Sequence, residues 1–111
     1  MIVYPWAYKA VKVKDAGVLQ RVASLAAERI VQKTGTAYRA AVTHEVLGIA
    51  GGGSDDWSRA ALNVKYVYTI ELRDRGAYGF VLPPRFIKDT ALEGWTVTET
   101  VAQAIGPSSS T

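Results

Sequence analysis

Cysteine is absent from the 111 residues, so neither a disulfide framework nor a thiolate metal site is available; the absence says little about compartment. Histidine occurs once, at His44, and asparagine once, at Asn63. Asn63 is followed by Val64 and Lys65, which leaves no N-glycosylation sequon. His44 stands before Glu45, but the helical metalloprotease motif needs a second histidine where Gly48 is found, so His44 reads as an ordinary surface or loop histidine. No apolar run is long enough to span a membrane. The opening MIVYPWA is too short for a signal peptide, uncharged at its head and interrupted by Pro5. Charge of one sign is also scarce: the net value is +3, and the 13 Lys and Arg run from Lys9 to Lys88 without forming a block. A nucleic-acid partner is therefore not indicated.

What is present suits one small domain, since apolar residues make up 49% of the chain. Residues 1 to 6 read as a strand, and their continuous apolar character fits one with neighbours on both sides; a chain that opens inside such a strand looks cut. Asp15 is a candidate N-cap for a helix over 16 to 33, where Val18, Val22, Ala26 and Ile30 recur four apart, Leu19 and Ala23 widen the stripe, and Gly35 stops it. The glycines of Leu47 to Gly53 read as a flexible loop and match neither a P-loop nor a dinucleotide fingerprint. Ser54 is a candidate N-cap for a short helix over 54 to 61, with Asp55 and Asp56 complementing the dipole in its first turn.

A central strand follows over 64 to 73, placing Tyr66, Tyr68, Ile70 and Leu72 on one face and Val67, Thr69, Glu71 and Arg73 on the other. On pattern alone, Glu71 reads as a solvated carboxylate paired with Arg73. After a turn at Gly76, residues 78 to 82 read as a short strand ending at Pro83 and Pro84. Asp89 or Thr90 would then cap a helix over 90 to 105, with Leu92, Trp95, Val101 and Ile105 on one face. Gly106 and Pro107 end that helix, and 107 to 111 reads as a disordered tail. The fold class is α/β, a mixed sheet with covering helices, over residues 1 to 106.

The wording of the centre, YTIELRDRGAYGFVLP preceded by GGSDDW, resembles the C-terminal part of the zinc metallocarboxypeptidases of the A/B type, and the likeness extends back to MIVYPWAY. It implies a partial catalytic domain, roughly the last third of a longer one, of an enzyme that hydrolyses the last peptide bond of a polypeptide. In that family the glutamate of the ELRD motif is the general base, which falls on Glu71. The resemblance further implies substrate-binding roles for Asp55, Ala50, Gly53, Thr69 and Phe80. Asp55 matches the floor of the pocket for the substrate's C-terminal side chain, where a carboxylate accompanies Lys or Arg preference; Phe80 reads equally well as core.

One departure is that Gly48 stands where the family carries a mobile tyrosine. The cofactor implied is one zinc ion, with every ligand outside this chain; the partners implied are peptide or protein C-termini, without nucleic acid or membrane, in an extracellular setting. The alternative is a catalytically inactive truncated product or packing module, and an unrelated small α/β binding protein would need two motifs to coincide. Alone, the chain is expected to bind zinc weakly or not at all, to show no peptidase activity and to aggregate or stay loosely folded. The reason is that the strand at Met1 to Trp6 and the central strand would lack neighbours.

Overall fold

The structure, a computed structural model, describes residues 1–72 and 82–106. Three short strands, β1 (Ile2–Tyr4), β2 (Ala40–Val42) and β3 (Thr69–Ile70), form one sheet in the order β2-β1-β3. β1 runs parallel to β2, with Ile2 opposite Ala40, and antiparallel to β3, with Ile2 opposite Ile70. The sheet is therefore mixed. Helix α1 (Ala16–Thr34) makes the crossover between the parallel strands β1 and β2, and α2 (Thr43–Leu47) follows β2 directly. Then come α3 (Ser54–Leu62), a single 3-10 turn at Pro84–Phe86, and α4 (Ile87–Ile105).

The core lies where α1 and α4 meet the sheet. Ile2, Ala23, Ala26, Ile30 and Val97 are fully buried together, with Tyr38, Tyr68 and Ile70 packed against them. A second cluster joins Tyr4, Val13, Leu19 and Val42, flanked by Tyr66 and Tyr68. The predicted α1 stripe is borne out at Leu19, Val22, Ala23, Ala26 and Ile30, and Gly35 ends the helix in the left-handed region, its N–H reaching Val31 O. The split of the central strand also holds: Tyr68 and Ile70 pack on the helices, and Leu72 lies beside Gly94 of α4. Thr69 pairs with Val3 and takes the other face.

Several expectations need correction. The strand at the start of the chain has neighbours on both sides, as its apolar character predicts, and its three residues are at most 2% exposed, so the expectation that it would lack neighbours in this chain alone does not hold. Among the described residues the outer strands of the sheet are β2 and β3. Among the described residues of 64 to 73, β3 is confined to Thr69–Ile70, and ahead of it Arg59 Nη1 donates to the carbonyls of Val64 (3.3 Å) and Lys65 (3.4 Å). Asp15 stands at the start of α1 without a side-chain capping bond; its carboxylate pairs with Arg59 at 2.8 Å. Ser54 is the first residue of α3, after Gly53, and does not cap it. β2 and α2 were not anticipated, and His44 sits in α2 with Nδ1 2.9 Å from Trp6 O.

The register of α4 differs most. The helix starts at Ile87 rather than at Asp89 or Thr90, and Trp95 (59%) and Leu92 (38%) are exposed. The buried face is Thr90, Glu93, Thr96, Val97 and Thr100. Thr96 and Thr100 hydroxyls donate to carbonyls one turn back in their own helix, at 2.7 Å each, so their methyl groups can meet the alanines of α1 without an unmet donor. Glu93 is fully buried and accepts from Thr34 Oγ1 (2.6 Å) and Tyr38 Oη (3.0 Å). The expected strand over 78 to 82 lies, apart from Leu82, outside the described residues, as does the tail over 107 to 111.

Candidate functional site

β1 is the strut to which both groups of candidate residues attach. On one side, Glu71 extends β3: its N–H donates to Met1 O at 2.8 Å, and the Met1 amino group donates to Glu71 O at 2.7 Å. Alternation from Thr69 puts the exposed Glu71 side chain on the sheet face away from α1 and α4. Thr69 is half-buried on that same face, opposite Val3. Arg73 and Phe80 lie outside the described residues.

At the other end of β1, the chain turns at Pro5 and presents Ala7 and Tyr8 to the glycine loop. Ala50 N–H donates to Ala7 O at 2.9 Å. Asp56 is buried at the first turn of α3, its Oδ1 accepting from Ala7 N (2.9 Å) and its Oδ2 from Tyr8 N (2.8 Å). Asp56 N–H in turn donates to Asp55 Oδ1 at 2.9 Å. Ala50, Gly53 and Asp55 are thus gathered at one loop-to-helix junction, and Thr69 and Glu71 on one strand. The link between the two groups is β1.

Gly48 has φ 80 and ψ 172, a conformation open to glycine and strained for any other residue. Beside the junction runs a groove of about 630 Å³ lined by Tyr8, the glycines at 51, 52 and 53, Asp56 and Trp57, among others. Of the predicted site residues that are described, Gly53 lines it and Glu71 and Thr69 do not.

Among the described residues, no three His, Cys, Asp or Glu side chains lie close enough to hold a metal ion. His44 has one nitrogen engaged by Trp6 O and no second donor of the required spacing. The side chains described here do not make a zinc site. No described helix is long and apolar enough to cross a membrane. Sequence reasoning missed the separate work of Asp56 and Arg59. Two adjacent aspartates at a helix start signal capping, and nothing local shows that one of them reaches a segment 48 and 49 positions earlier.

A family profile described as zinc carboxypeptidase matches residues 1–97. Carboxypeptidase B2 of Rattus norvegicus is 44% identical over 91% of this chain and 24% of its own length. Carboxypeptidase A2 of Mus musculus is 37% identical over 95% of this chain and 25% of its own. Among solved structures, bovine thrombin-activatable fibrinolysis inhibitor, in complex with tick carboxypeptidase inhibitor, superposes with a TM-score of 0.89 at 36% identity, covering 94% of this chain and 35% of that one. The chain therefore spans about a quarter of the length of the curated relatives it matches. Matching the family profile over residues 1–97 and a curated carboxypeptidase at 44% identity over 91% of this sequence, the chain belongs to the zinc carboxypeptidase family.

Proposed function

We propose that this chain forms the part of a metallocarboxypeptidase that carries the general base and the pocket for the substrate's last side chain. The observation that carries the reading is the placement of Glu71: an exposed carboxylate on the sheet face away from α1 and α4, next to a strand whose Ile70 packs against the core. A carboxylate so placed can take a proton from an attacking water and return it to the leaving amine. Zinc would be held by residues outside this sequence. The substrates are peptide or protein C-termini met in an extracellular setting, as expected of the family.

Asp55 is the residue proposed to receive a Lys or Arg end. Its neighbour Asp56 has both oxygens on backbone amides, whereas Asp55 has only Oδ1 engaged, by an N–H, among the described residues. A partly desolvated carboxylate with a free oxygen suits a guanidinium or ammonium group. The second reading, a non-catalytic packing module, is favoured by the lack of a metal-donor cluster among the described residues and by Gly48 at the family's tyrosine position.

The two readings are separated by a hybrid in which this chain replaces the matching part of carboxypeptidase B of Astacus astacus, which is 37% identical over 92% of this chain. Zinc-dependent release of C-terminal Arg by the hybrid supports the enzyme reading. A folded, zinc-loaded hybrid without turnover supports the packing module.

A further inference from the structure

The buried Asp56 carboxylate has no part in the chemistry proposed above, yet it sits at the centre of the pocket junction. Its two oxygens accept from consecutive backbone amides, Ala7 at 2.9 Å and Tyr8 at 2.8 Å, and the residue is only 7% exposed. A carboxylate is the side chain of this size that accepts on both atoms; asparagine would turn an NH2 group towards one of the two N–H donors. The bonds to charged oxygen are also the stronger kind. Were Asp56 a helix cap, its oxygens would serve N–H groups of α3, but the side chain reaches across the fold instead and α3 has no side-chain cap.

The connections continue in both directions from this residue. Ala7 O accepts from Ala50 N at 2.9 Å, while Asp56 N donates to Asp55 Oδ1 at 2.9 Å. An unbroken series of bonds therefore runs from Ala50 through Ala7 and Asp56 to Asp55. We propose that Asp56 is a positioning residue that fixes Asp55, Gly53 and Ala50 relative to the segment after β1, so that the pocket selects a cationic C-terminal side chain. The proposal rests on the reading of Asp55 as the pocket carboxylate. Asp56 itself touches no substrate.

The test uses the hybrid that carries this chain, stripped of zinc so that the probes are not hydrolysed, labelled with 15N and titrated with benzoyl-glycyl-arginine and benzoyl-glycyl-leucine. In the unmodified hybrid the arginine probe shifts the Asp55 and Gly53 amides and binds more tightly than the leucine probe. Asp56→Asn should move the Ala50, Gly53 and Asp55 resonances and weaken the arginine probe at least tenfold, so that the preference collapses towards one. Ile30 and Val97, in the core between α1 and α4, should not move. Tyr8→Pro removes one donor from the other side of the clamp and should act in the same direction, which guards against misfolding of the aspartate variant.

A preference retained in both variants overturns the proposal. So does an equal loss for both probes accompanied by shifts at Ile30 and Val97, the pattern of simple destabilisation. Tighter or equal binding of the leucine probe by the unmodified hybrid, with no shift at Asp55, instead contradicts the pocket reading on which the proposal rests.

Discussion

Asp55 holds its carboxylate over Gly53 so closely that a β-carbon on Gly53 would stand 2.6 Å from Oδ1. Glycine is needed there for space, since its backbone angles are ordinary, φ −76 and ψ 144. Because the obstructing atom is the end of a side chain, Gly53→Ala should swing Asp55 aside rather than disrupt the loop. Stability is expected to change by less than about 0.5 kcal/mol, as for a tolerated surface substitution. Selectivity for Arg-ended over Leu-ended peptides should nevertheless fall in the hybrid enzyme. Urea unfolding and paired kinetic assays check the two halves of this expectation.

Gly48 constrains the chain for the opposite reason, its backbone. At φ 80 and ψ 172, Gly48→Ala or Gly48→Tyr should each cost about 1–3 kcal/mol unless the loop rearranges. No atom of the described residues lies within 4 Å of an added β-carbon, so a loss is assigned to conformation rather than to collision. An alanine variant with unchanged urea midpoint would contradict the glycine-only geometry.

Much of the fold was legible because its signals are local. The four-apart stripe of α1, the stop at Gly35 and the alternation of Tyr68, Thr69 and Ile70 all depend on near neighbours, and all hold. What was not legible depends on distant partners. Asp15 has the composition of a cap, but Arg59 takes its carboxylate. Leu92 and Trp95 look like a core stripe, yet α1 presents alanines and a Thr34 hydroxyl, against which threonines and Glu93 fit better. In AYRAAVTHEVLG, strand and helix meet at Val42 and Thr43 without a glycine or proline between them, and the junction is held by distant partners, Thr43 Oγ1 donating to Tyr4 O at 2.9 Å and His44 N–H to Trp6 O at 3.2 Å. Within the candidate site, Glu71 and Asp55 are proposed from the resemblance, whereas the bonds of Asp56 to Ala7 and Tyr8 are visible only in the fold.

The Asp15–Arg59 pair makes stability depend on acid pH. The Arg59 hydrogen bond is the main cause that lowers the Asp15 pKa below its ordinary value. For a carboxyl group lowered on folding, the contribution is complete above the unfolded value, about 3.9, and fades as pH falls through the folded one. Asp15→Asn should therefore be less stable than the parent at pH 6, and the two should converge as pH drops below 4. Denaturant midpoints measured from pH 6 to pH 2 test this, and parallel curves without convergence would contradict it.

Tyr38 ties the segment before β2 to α4 through Glu93, a fully buried carboxyl group. Tyr38→Phe keeps the ring and removes one hydrogen bond to Glu93, and is expected to cost about 1–3 kcal/mol. A loss well below that range would show that water or another group replaces the hydroxyl at Glu93.

The central claim, that Glu71 is the general base, is tested most directly by Glu71→Gln in the zinc-loaded hybrid enzyme. The amide preserves size and cannot accept the proton of the attacking water, so the account predicts unchanged zinc content and thermal stability with kcat lowered about 10²–10⁴-fold. Near-normal turnover in that variant would contradict the account.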